Sequence, residues 1–264
     1  MTTPDTEPIL SLSSVVAGYG AGDILKGVEL EIRAGTVTCL IGPNGAGKST
    51  VLKTISGLLR PREGRIRFRD QELGGLSARA RLRLGIVHVP QDRSLFPAMS
   101  VWDNLLTGGH TIRDQKLLRR RVELAAEAFP ICVARAREHA GSLSGGEQKQ
   151  VELARTLVLD PTLILLDEPS IGLDPKSRRQ VFASIRQLAG AGRTVLLVEQ
   201  NARSGLAASD YGAVLESGRV HLTATGAELL DNPEVARLYL GAAPDQRRAP
   251  EHATTATAPT AAED

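Results

Sequence analysis

Short apolar runs and amphipathic stretches alternate along the chain. Three runs are apolar at nearly every position, which is typical of strands covered on both faces; they span residues 36–41, 163–166 and 194–198. Stretches compatible with helices follow at 51–56 and 176–189. Strands that alternate with helices predict an α/β fold, in which a mainly parallel sheet carries helices on its faces.

Two further groups of elements are added to this core. Strand patterns at residues 10–20, 28–32 and 64–68 predict a small antiparallel β-subdomain. Between residues 101 and 159 the pattern is helical, most clearly at 116–128, so we expect an inserted α-helical subdomain over about residues 92–160. The remaining predicted elements are strands at 84–89, 212–215 and 220–223 and a short helix at 233–240.

The two ends of the chain differ from the rest. Residues 1–8 are polar, contain two prolines and lack the basic and apolar regions of a signal peptide. Residues 242–264 are rich in Ala, Thr and Pro. We therefore expect disordered ends around one domain over residues 9–241. No apolar run approaches the ~18 residues of a membrane-spanning helix, so a membrane role would need a partner.

The composition argues against a nucleic-acid-binding protein and against a small disulfide-stabilised protein. The chain has 264 residues, 42% of them hydrophobic, which is enough for a sizeable core. The net charge of +2 is too small to argue for nucleic acid. Two cysteines, Cys39 and Cys132, do not suggest a disulfide framework, and a reducing cytosol is the simplest interpretation.

The segment from Gly42 to Ser49 reads Gly-Pro-Asn-Gly-Ala-Gly-Lys-Ser, the pattern G-x-x-x-x-G-K-S. It lies between a predicted strand and a predicted helix, as a phosphate-binding loop must. In such a loop backbone N–H groups cradle a polyphosphate, Lys48 reaches its β- and γ-phosphates, and the Ser49 hydroxyl ligates magnesium. The competing interpretation is a glycine-rich turn without a ligand.

Two carboxylates, Asp167 and Glu168, end the apolar run at 163–166. Asp167 at the end of a strand can hold magnesium, and Glu168 beside it can accept a proton from an attacking water. An acidic turn after a strand is the alternative, and the phosphate loop upstream favours the catalytic interpretation.

Residues 143–148 read Leu-Ser-Gly-Gly-Glu-Gln and precede a predicted helix. Ser144 is a good N-cap, and Glu147 stands where a capping box would place it. The segment therefore either only starts a helix or presents a second glycine-exposed helix N-terminus to an anion.

This segment resembles the signature motif of ATP-binding cassette (ABC) ATPases, and the other motifs follow in that family's order over about residues 10–241. The resemblance implies a P-loop NTPase (RecA-like) core that binds ATP with Mg²⁺. It also implies a head-to-tail dimer, in which Ser144, Gly145 and Gly146 of one subunit cap the γ-phosphate of ATP bound to the other. The residues matching the phosphate loop are Gly42, Pro43, Asn44, Gly45, Ala46, Gly47, Lys48, Ser49 and Thr50.

The resemblance also assigns roles outside these motifs. Tyr19 matches the aromatic residue that stacks on adenine. Gln91 matches the glutamine that senses magnesium and couples to membrane subunits, and Asp167 and Glu168 match the magnesium aspartate and the catalytic base. Residues 171–174, which end in Asp174, match the loop that crosses to the partner subunit.

One position departs from most of the family. Gln200 stands where a histidine is usual, and glutamine can bind a γ-phosphate or orient water but cannot take up a proton near neutral pH. Alternatively, Gln200 only caps the next helix. Residues 198–202 and 232–241 resemble an uptake subfamily for branched-chain amino acids, with relatives for urea and short amides. That subfamily often differs at residues 90–93 and has Ala at the position of Asp174.

The resemblance implies the ATPase subunit of an importer, peripheral on the cytoplasmic face of the cell membrane. Expected partners are transmembrane permease subunits, a second cassette (self or paralogue) and, indirectly, a solute-binding protein, but no nucleic acid. Other hypotheses are a urea or short-amide importer, an exporter subunit, a soluble cassette of translation or DNA repair, and a non-hydrolytic regulatory module.

Two weaker patterns remain. The arginines at 79, 81 and 83 and at 119–121 indicate solvated helix faces rather than nucleic-acid or lipid contacts. The apolar segment 96–102 is explained either by packing between subdomains or by a groove for a helix of a membrane partner.

Overall fold

The computed structural model describes residues 8–92 and 94–239. The predicted tail at 242–264 and all but the last residue of the predicted N-terminal segment lie outside these ranges. The strands are β1 (Pro8–Ala17), β2 (Leu25–Arg33), β3 (Val37–Ile41), β4 (Glu63–Phe68), β5 (Gln71–Glu72), β6 (Ile86–Val89), β7 (Leu163–Asp167), β8 (Thr194–Val198), β9 (Tyr211–Glu216) and β10 (Arg219–Thr225). The α-helices are α1 (Lys48–Ser56), α2 (Ala78–Arg83), α3 (Val101–Gly108), α4 (Gln115–Ala128), α5 (Pro130–Ala134), α6 (Gly145–Leu157), α7 (Pro175–Gly190), α8 (Ala202–Ala207), α9 (Gly226–Asp231) and α10 (Pro233–Tyr239).

A six-stranded sheet in the order β10-β9-β3-β8-β7-β6 forms the centre of the described chain. Neighbouring strands run parallel from β9 to β6, and β10 is antiparallel at the edge. Every residue of β3, β7 and β8 is buried, as their continuous apolar sequences require. The predicted fold class is confirmed. The carboxyl ends of these three strands meet at one edge of the sheet.

The antiparallel sheet has the order β2-β1-β4-β5 and covers one face of the central sheet. Its buried side chains include Leu12 and Ile66, which share a core with Leu40 and Leu165 of the central sheet and with α1. A second core lies on the other face, where α6 and α7 pack. Helix α1, which follows the phosphate loop, therefore starts at the sheet edge and is anchored between two β layers.

The inserted helical subdomain is built from α3 to α6. The continuous helical pattern from 101 to 159 breaks where the chain turns at Gly109 and at Pro130, which occupies the first turn of α5. Helix α6 contacts α3, α4, α5 and α7, so it joins the subdomain to the core. No helix within the described residues has the length and hydropathy needed to cross a membrane.

One sequence interpretation is wrong: Arg81 does not lie on a solvated face. The side chain of Arg81 lies on helix α2 and is 1% exposed. Its guanidinium donates to the carbonyls of Thr54 (2.6 Å) and Ile55 (2.9 Å) at the end of α1, and to that of Leu73 (2.7 Å). A positive charge at a helix C-terminus satisfies carbonyls that the helix leaves unpaired. Arg79 and Arg83 are exposed, as expected.

Smaller differences also have local causes. The predicted strand 84–89 begins at Ile86, because Leu84 closes α2 and Gly85 turns the chain with φ of 92°. Elements β5, α8 and α9 were not predicted, since each spans six residues or fewer and carries little periodic signal.

Candidate active site

The phosphate loop connects β3 to α1 with a backbone that only glycine permits at two positions. A Cβ on Gly42 would lie 2.0 Å from the carbonyl oxygen of Leu215, and Gly47 begins α1 with φ of 106°. The Lys48 ammonium donates to the carbonyls of Gly42 (2.9 Å) and Pro43 (3.0 Å), so it is folded over the loop. Burial lowers the pKa of Lys48, while the charges of Glu168 and Asp167 raise it.

Ser49 and Asp167 meet across the site. The Ser49 hydroxyl donates to Asp167 Oδ1 at 2.9 Å. Asp167 ends β7 and is 5% exposed; burial raises its pKa, while the Ser49 hydrogen bond and the charges of Lys53 and Lys48 lower it. A hydroxyl and a carboxylate are oxygen ligands of the kind that Mg²⁺ prefers. The pair therefore fits a magnesium ion beside the loop.

Glu168 is held in an uncommon backbone conformation. Its φ of 47° is left-handed, and its N–H donates to Val198 O at 3.0 Å. Non-glycine residues persist in this region only when their surroundings impose it, and such residues cluster at functional sites. Gln91 Nε2 donates to Glu168 Oε2 at 3.3 Å. Burial raises the pKa of Glu168, Lys48 lowers it, and Asp167 raises it further.

A cavity of about 400 Å³ opens over these groups. The structure thus brings together the loop, Gln91, Glu168 and Gln200, which are far apart in sequence. Ile24 and Ile171 also line the cavity. Ile24 was not predicted, since it lies in no pattern that distinguishes it from a core residue, whereas Ile171 begins the segment 171–174 that was matched to the loop crossing to a partner subunit. The lining residues are Ile24, Asn44, Gly45, Gly47, Lys48, Ser49, Thr50, Gln91, Glu168, Ile171 and Gln200.

Gln200 does not cap the following helix. The N-cap of α8 is Asn201, whose side chain accepts from Ser204 N at 3.0 Å. The interpretation of Gln200 as a helix cap is therefore wrong. The Gln200 side chain is exposed and lines the cavity.

Tyr19 and Asp174 are among the predicted site residues that do not line the cavity. The Tyr19 ring is 50% exposed, and Lys53 Nζ lies 5.9 Å from its centroid. Asp174 is the N-cap of α7, and its carboxylate accepts from Lys176 N (2.9 Å) and Ser177 N (3.1 Å). In this conformation Asp174 organises its own helix.

The signature segment forms the capping box that its sequence allows. Glu147 Oε2 accepts from Ser144 N and Ser144 Oγ, each at 2.8 Å, and Ser144 Oγ accepts from Glu147 N at 3.4 Å. A Cβ on Gly146 would lie 2.6 Å from Ser177 Oγ, so this glycine is needed for α6 to pack on α7. Neither Ser144 nor Gly145 lines the cavity. Within one chain the signature segment therefore lies apart from the cavity.

The family model described as ABC transporter matches residues 25–171, a span that contains the phosphate loop, the signature and both carboxylates. The chain belongs to the ABC transporter family. As a member of the ABC family it is an ATP-binding and ATP-hydrolysing cassette, and the predicted family is confirmed.

Curated relatives and solved ABC cassettes extend the match over most of the chain. The chain is similar to the high-affinity branched-chain amino acid transport ATP-binding protein BraG of Pseudomonas aeruginosa, at 42% identity over 88% of this chain and 100% of the relative. It is also similar to the lipopolysaccharide export system ATP-binding protein LptB of Acidithiobacillus ferridurans, at 34% identity over 88% and 97%. Among structures, the ADP conformation of MJ1267, an ABC transporter cassette, matches with a TM-score of 0.81 and 28% identity over 90% and 100%.

Proposed function

We propose that the chain hydrolyses ATP at the Ser49–Asp167–Glu168 site and couples this to solute uptake through membrane permease subunits. The observation that carries the proposal is the 2.9 Å hydrogen bond from Ser49 to Asp167, with Glu168 next in sequence and facing the same cavity. A phosphate cradle, a pair of metal ligands and a carboxylate that can act as a base are the groups that phosphoryl transfer to water requires.

Each group has a defined task in this reaction. The loop N–H groups and Lys48 bind the phosphates, and Glu168 accepts the proton of the attacking water. Gln91 and Gln200 orient water and the γ-phosphate through their amide groups. Ser49, Asp167 and Gln91 would hold Mg²⁺, which neutralises charge that develops on the phosphate oxygens. Burial of Asp167 strengthens every electrostatic contact in the site.

Two features outside the cavity fit nucleotide binding. Tyr19 presents half of its ring surface to solvent near Lys53 of α1, which suits stacking on adenine. Ser144, Gly145 and Gly146 begin α6 away from the cavity, so they would serve the nucleotide of a second cassette, either another copy or a paralogue. Asp174, at the start of α7, would reach the same interface.

A groove between the core and the helical subdomain supports docking of a permease. Two adjoining cavities of about 630 and 500 Å³ share Leu82, His88 and His110 as walls. Phe96 lines the second cavity and is 52% exposed, which favours the docking interpretation of segment 96–102. A groove with apolar walls suits a helix of a membrane protein. The chain would then act as a peripheral protein on the cytoplasmic face of the membrane.

Branched-chain amino acids are the solutes that we propose, because BraG, at 42% identity, is named for their transport. Urea and short amides are alternatives within the same subfamily. Export is the second candidate, since LptB, named for lipopolysaccharide export, is 34% identical. A solute-binding protein would deliver the solute to an importer, and no nucleic acid is required.

Affinity purification tests the transport role. Glu168→Gln chains would be recovered with ATP from detergent-solubilised membranes and analysed by mass spectrometry, with Lys48→Ala chains as the matched control. Enrichment of polytopic permeases with Glu168→Gln supports the proposal, and a second cassette would identify a heterodimer. Recovery of only ribosomal or DNA-associated proteins would contradict it.

A further inference from the structure

A partly buried polar network ties the segment after Gln91 to the signature helix α6. Ser94, three residues after Gln91, donates its N–H to Glu152 Oε1 at 2.7 Å and its hydroxyl to the same oxygen at 3.0 Å. The carbonyl of Ser94 accepts from Arg155 Nη1 at 2.7 Å, and its hydroxyl oxygen accepts from Arg155 Nη2. Two residues one turn apart on α6 thus engage every polar atom of Ser94. We refer to Ser94, Glu152 and Arg155 as the Ser94 clamp.

The environment of the clamp makes it resistant to rearrangement. Glu152 is 2% exposed, and its second oxygen forms an ion pair with Lys149 at 2.6 Å. Removing the partners of a buried carboxylate is costly. Moving Ser94 away from α6 would remove the hydrogen bonds that it makes with the buried carboxylate of Glu152 and with the half-buried guanidinium of Arg155. The segment and the helix are therefore expected to move together.

The two ends of this unit are functional. Gln91 contacts the Glu168 carboxylate at 3.3 Å, and α6 begins at Ser144 to Gly146, the face that we assign to the partner's nucleotide. We propose that Glu152 and Arg155 are positioning residues: through Ser94 they make the placement of Gln91 at Glu168 depend on the engagement of α6 by the second cassette. This inference rests on the proposed function.

The two sides of the Ser94 clamp differ in how strongly the rest of the protein restrains them. Within the described chain, α6 packs against α3, α4, α5 and α7, whereas Gln91 and Asp92 are exposed. A shift of α6 is therefore passed to the less restrained segment, since Ser94 offers α6 its N–H, carbonyl and hydroxyl groups together.

The test compares two replacements of Glu152 in the full chain. Glu152→Met keeps the volume but removes both acceptors, whereas Glu152→Gln keeps an oxygen for the Ser94 N–H. We expect Glu152→Met to lower kcat at least ~5-fold with the Kd for ATP within two-fold of wild type, and Glu152→Gln to restore at least half of the loss. Glu138→Gln removes the carboxylate of an exposed ion pair with Arg135 in the same subdomain and is the control.

A double-mutant cycle and hydrogen exchange distinguish loss of the contact between Ser94 and Glu152 from a lower kcat that is caused by partial unfolding of the variant. Ser94→Ala should slow the wild type more than it slows Glu152→Met, where only the bond from Arg155 to the Ser94 hydroxyl remains to be lost, and backbone exchange at residues 94–96 should be faster in Glu152→Met. Additive effects of Ser94→Ala and Glu152→Met on kcat would contradict the proposed role of the clamp. An equal loss of ATP affinity and kcat would also contradict it. So would wild-type kcat in both Ser94→Ala and Glu152→Met. A wild-type chain that hydrolyses no ATP with its partners present would overturn the proposed function as well.

Discussion

The Ser49 hydroxyl donates a 2.9 Å hydrogen bond to the Asp167 carboxylate, although 118 residues separate the two in sequence. Ser49 lies in the first turn of α1 and Asp167 ends β7, and both lie at the carboxyl edge of the parallel sheet. Ligands bind at such edges in α/β proteins because helix N-termini and strand ends converge there. In the proposed function this contact marks where magnesium and the γ-phosphate would bind.

Tyr19 should contribute to ATP affinity through its ring and not through its hydroxyl. Stacking of a base on an aromatic side chain is worth about 1–3 kcal/mol by alanine substitution, so Tyr19→Ala should weaken ATP binding roughly 5- to 150-fold. Tyr19→Phe should bind within two-fold of wild type. Equilibrium titration with a fluorescent ATP analogue measures both. A Tyr19→Phe variant as weak as Tyr19→Ala would exclude stacking as the source of the affinity.

Gln200 should raise the rate of ATP hydrolysis without introducing a protonation step near neutral pH into the pH–rate profile. Loss of one hydrogen-bond donor to a developing charge costs about 10²–10³ in kcat, so Gln200→Ala should slow hydrolysis about 100-fold. Gln200→His should retain activity, but its pH–rate profile should show an additional change in rate near pH 6.5, where histidine changes charge. Rate profiles between pH 5.5 and 9 measure both effects. Turnover by Gln200→Ala within two-fold of wild type would remove Gln200 from the mechanism.

Arg81 should matter for stability rather than for contacts with other molecules. Its guanidinium binds carbonyls of Thr54, Ile55 and Leu73, so Arg81→Leu would leave buried acceptors unpaired. We expect it to lower the free energy of unfolding by about 3 kcal/mol. Arg79→Leu, on the exposed face of the same helix, should change it by less than ~0.5 kcal/mol. Urea denaturation distinguishes the two, and equal effects would contradict the assigned role of Arg81.

Glu199 should make the protein less stable as pH rises. It is 2% exposed and accepts from Ser170 N at 3.1 Å; burial raises its pKa, while hydrogen bonds from Ser170 and from the Asn201 backbone lower it. A carboxyl with a raised pKa stabilises the folded state most below its unfolded-state pKa and loses this as pH rises through the folded-state value.

Glu199→Gln keeps an acceptor for Ser170 N and removes this titration. The variant should unfold at a higher urea concentration than wild type at pH 8, and the difference should shrink towards pH 4. The exposed Glu63→Gln provides the control for loss of one carboxylate. A difference that does not change with pH would show that the Glu199 charge has no such effect.

The central strands and the phosphate loop were predictable because their signals are local. β3, β7 and β8 are apolar at consecutive positions, and the loop motif lies directly between β3 and α1. The meeting of Ser49 with Asp167 was expected from the motifs, although spacing alone does not specify it. The strand order β10-β9-β3-β8-β7-β6 was not predictable, since it depends on which crossovers bury both faces of the sheet.

The errors follow from side chains whose role is set by distant partners. Arg81 lies in a run of alternating arginines, and only the end of α1 distinguishes it from Arg79. Asn201 rather than Gln200 caps α8, because α8 begins one residue later than that alternative required. The domain limits and the roles of individual site residues stay predictions until they are measured.

The rate of ATP hydrolysis by Glu168→Gln, compared with wild type in the same preparation with partners present, tests the central claim most directly. Glu168→Gln keeps the size and hydrogen bonding of the side chain but cannot accept the water proton. We predict ATP binding within a few-fold of wild type and turnover at least ~10²-fold slower, the contribution of a positioned base. Turnover near the wild-type rate would contradict the assignment of Glu168 and of the site built around Ser49 and Asp167.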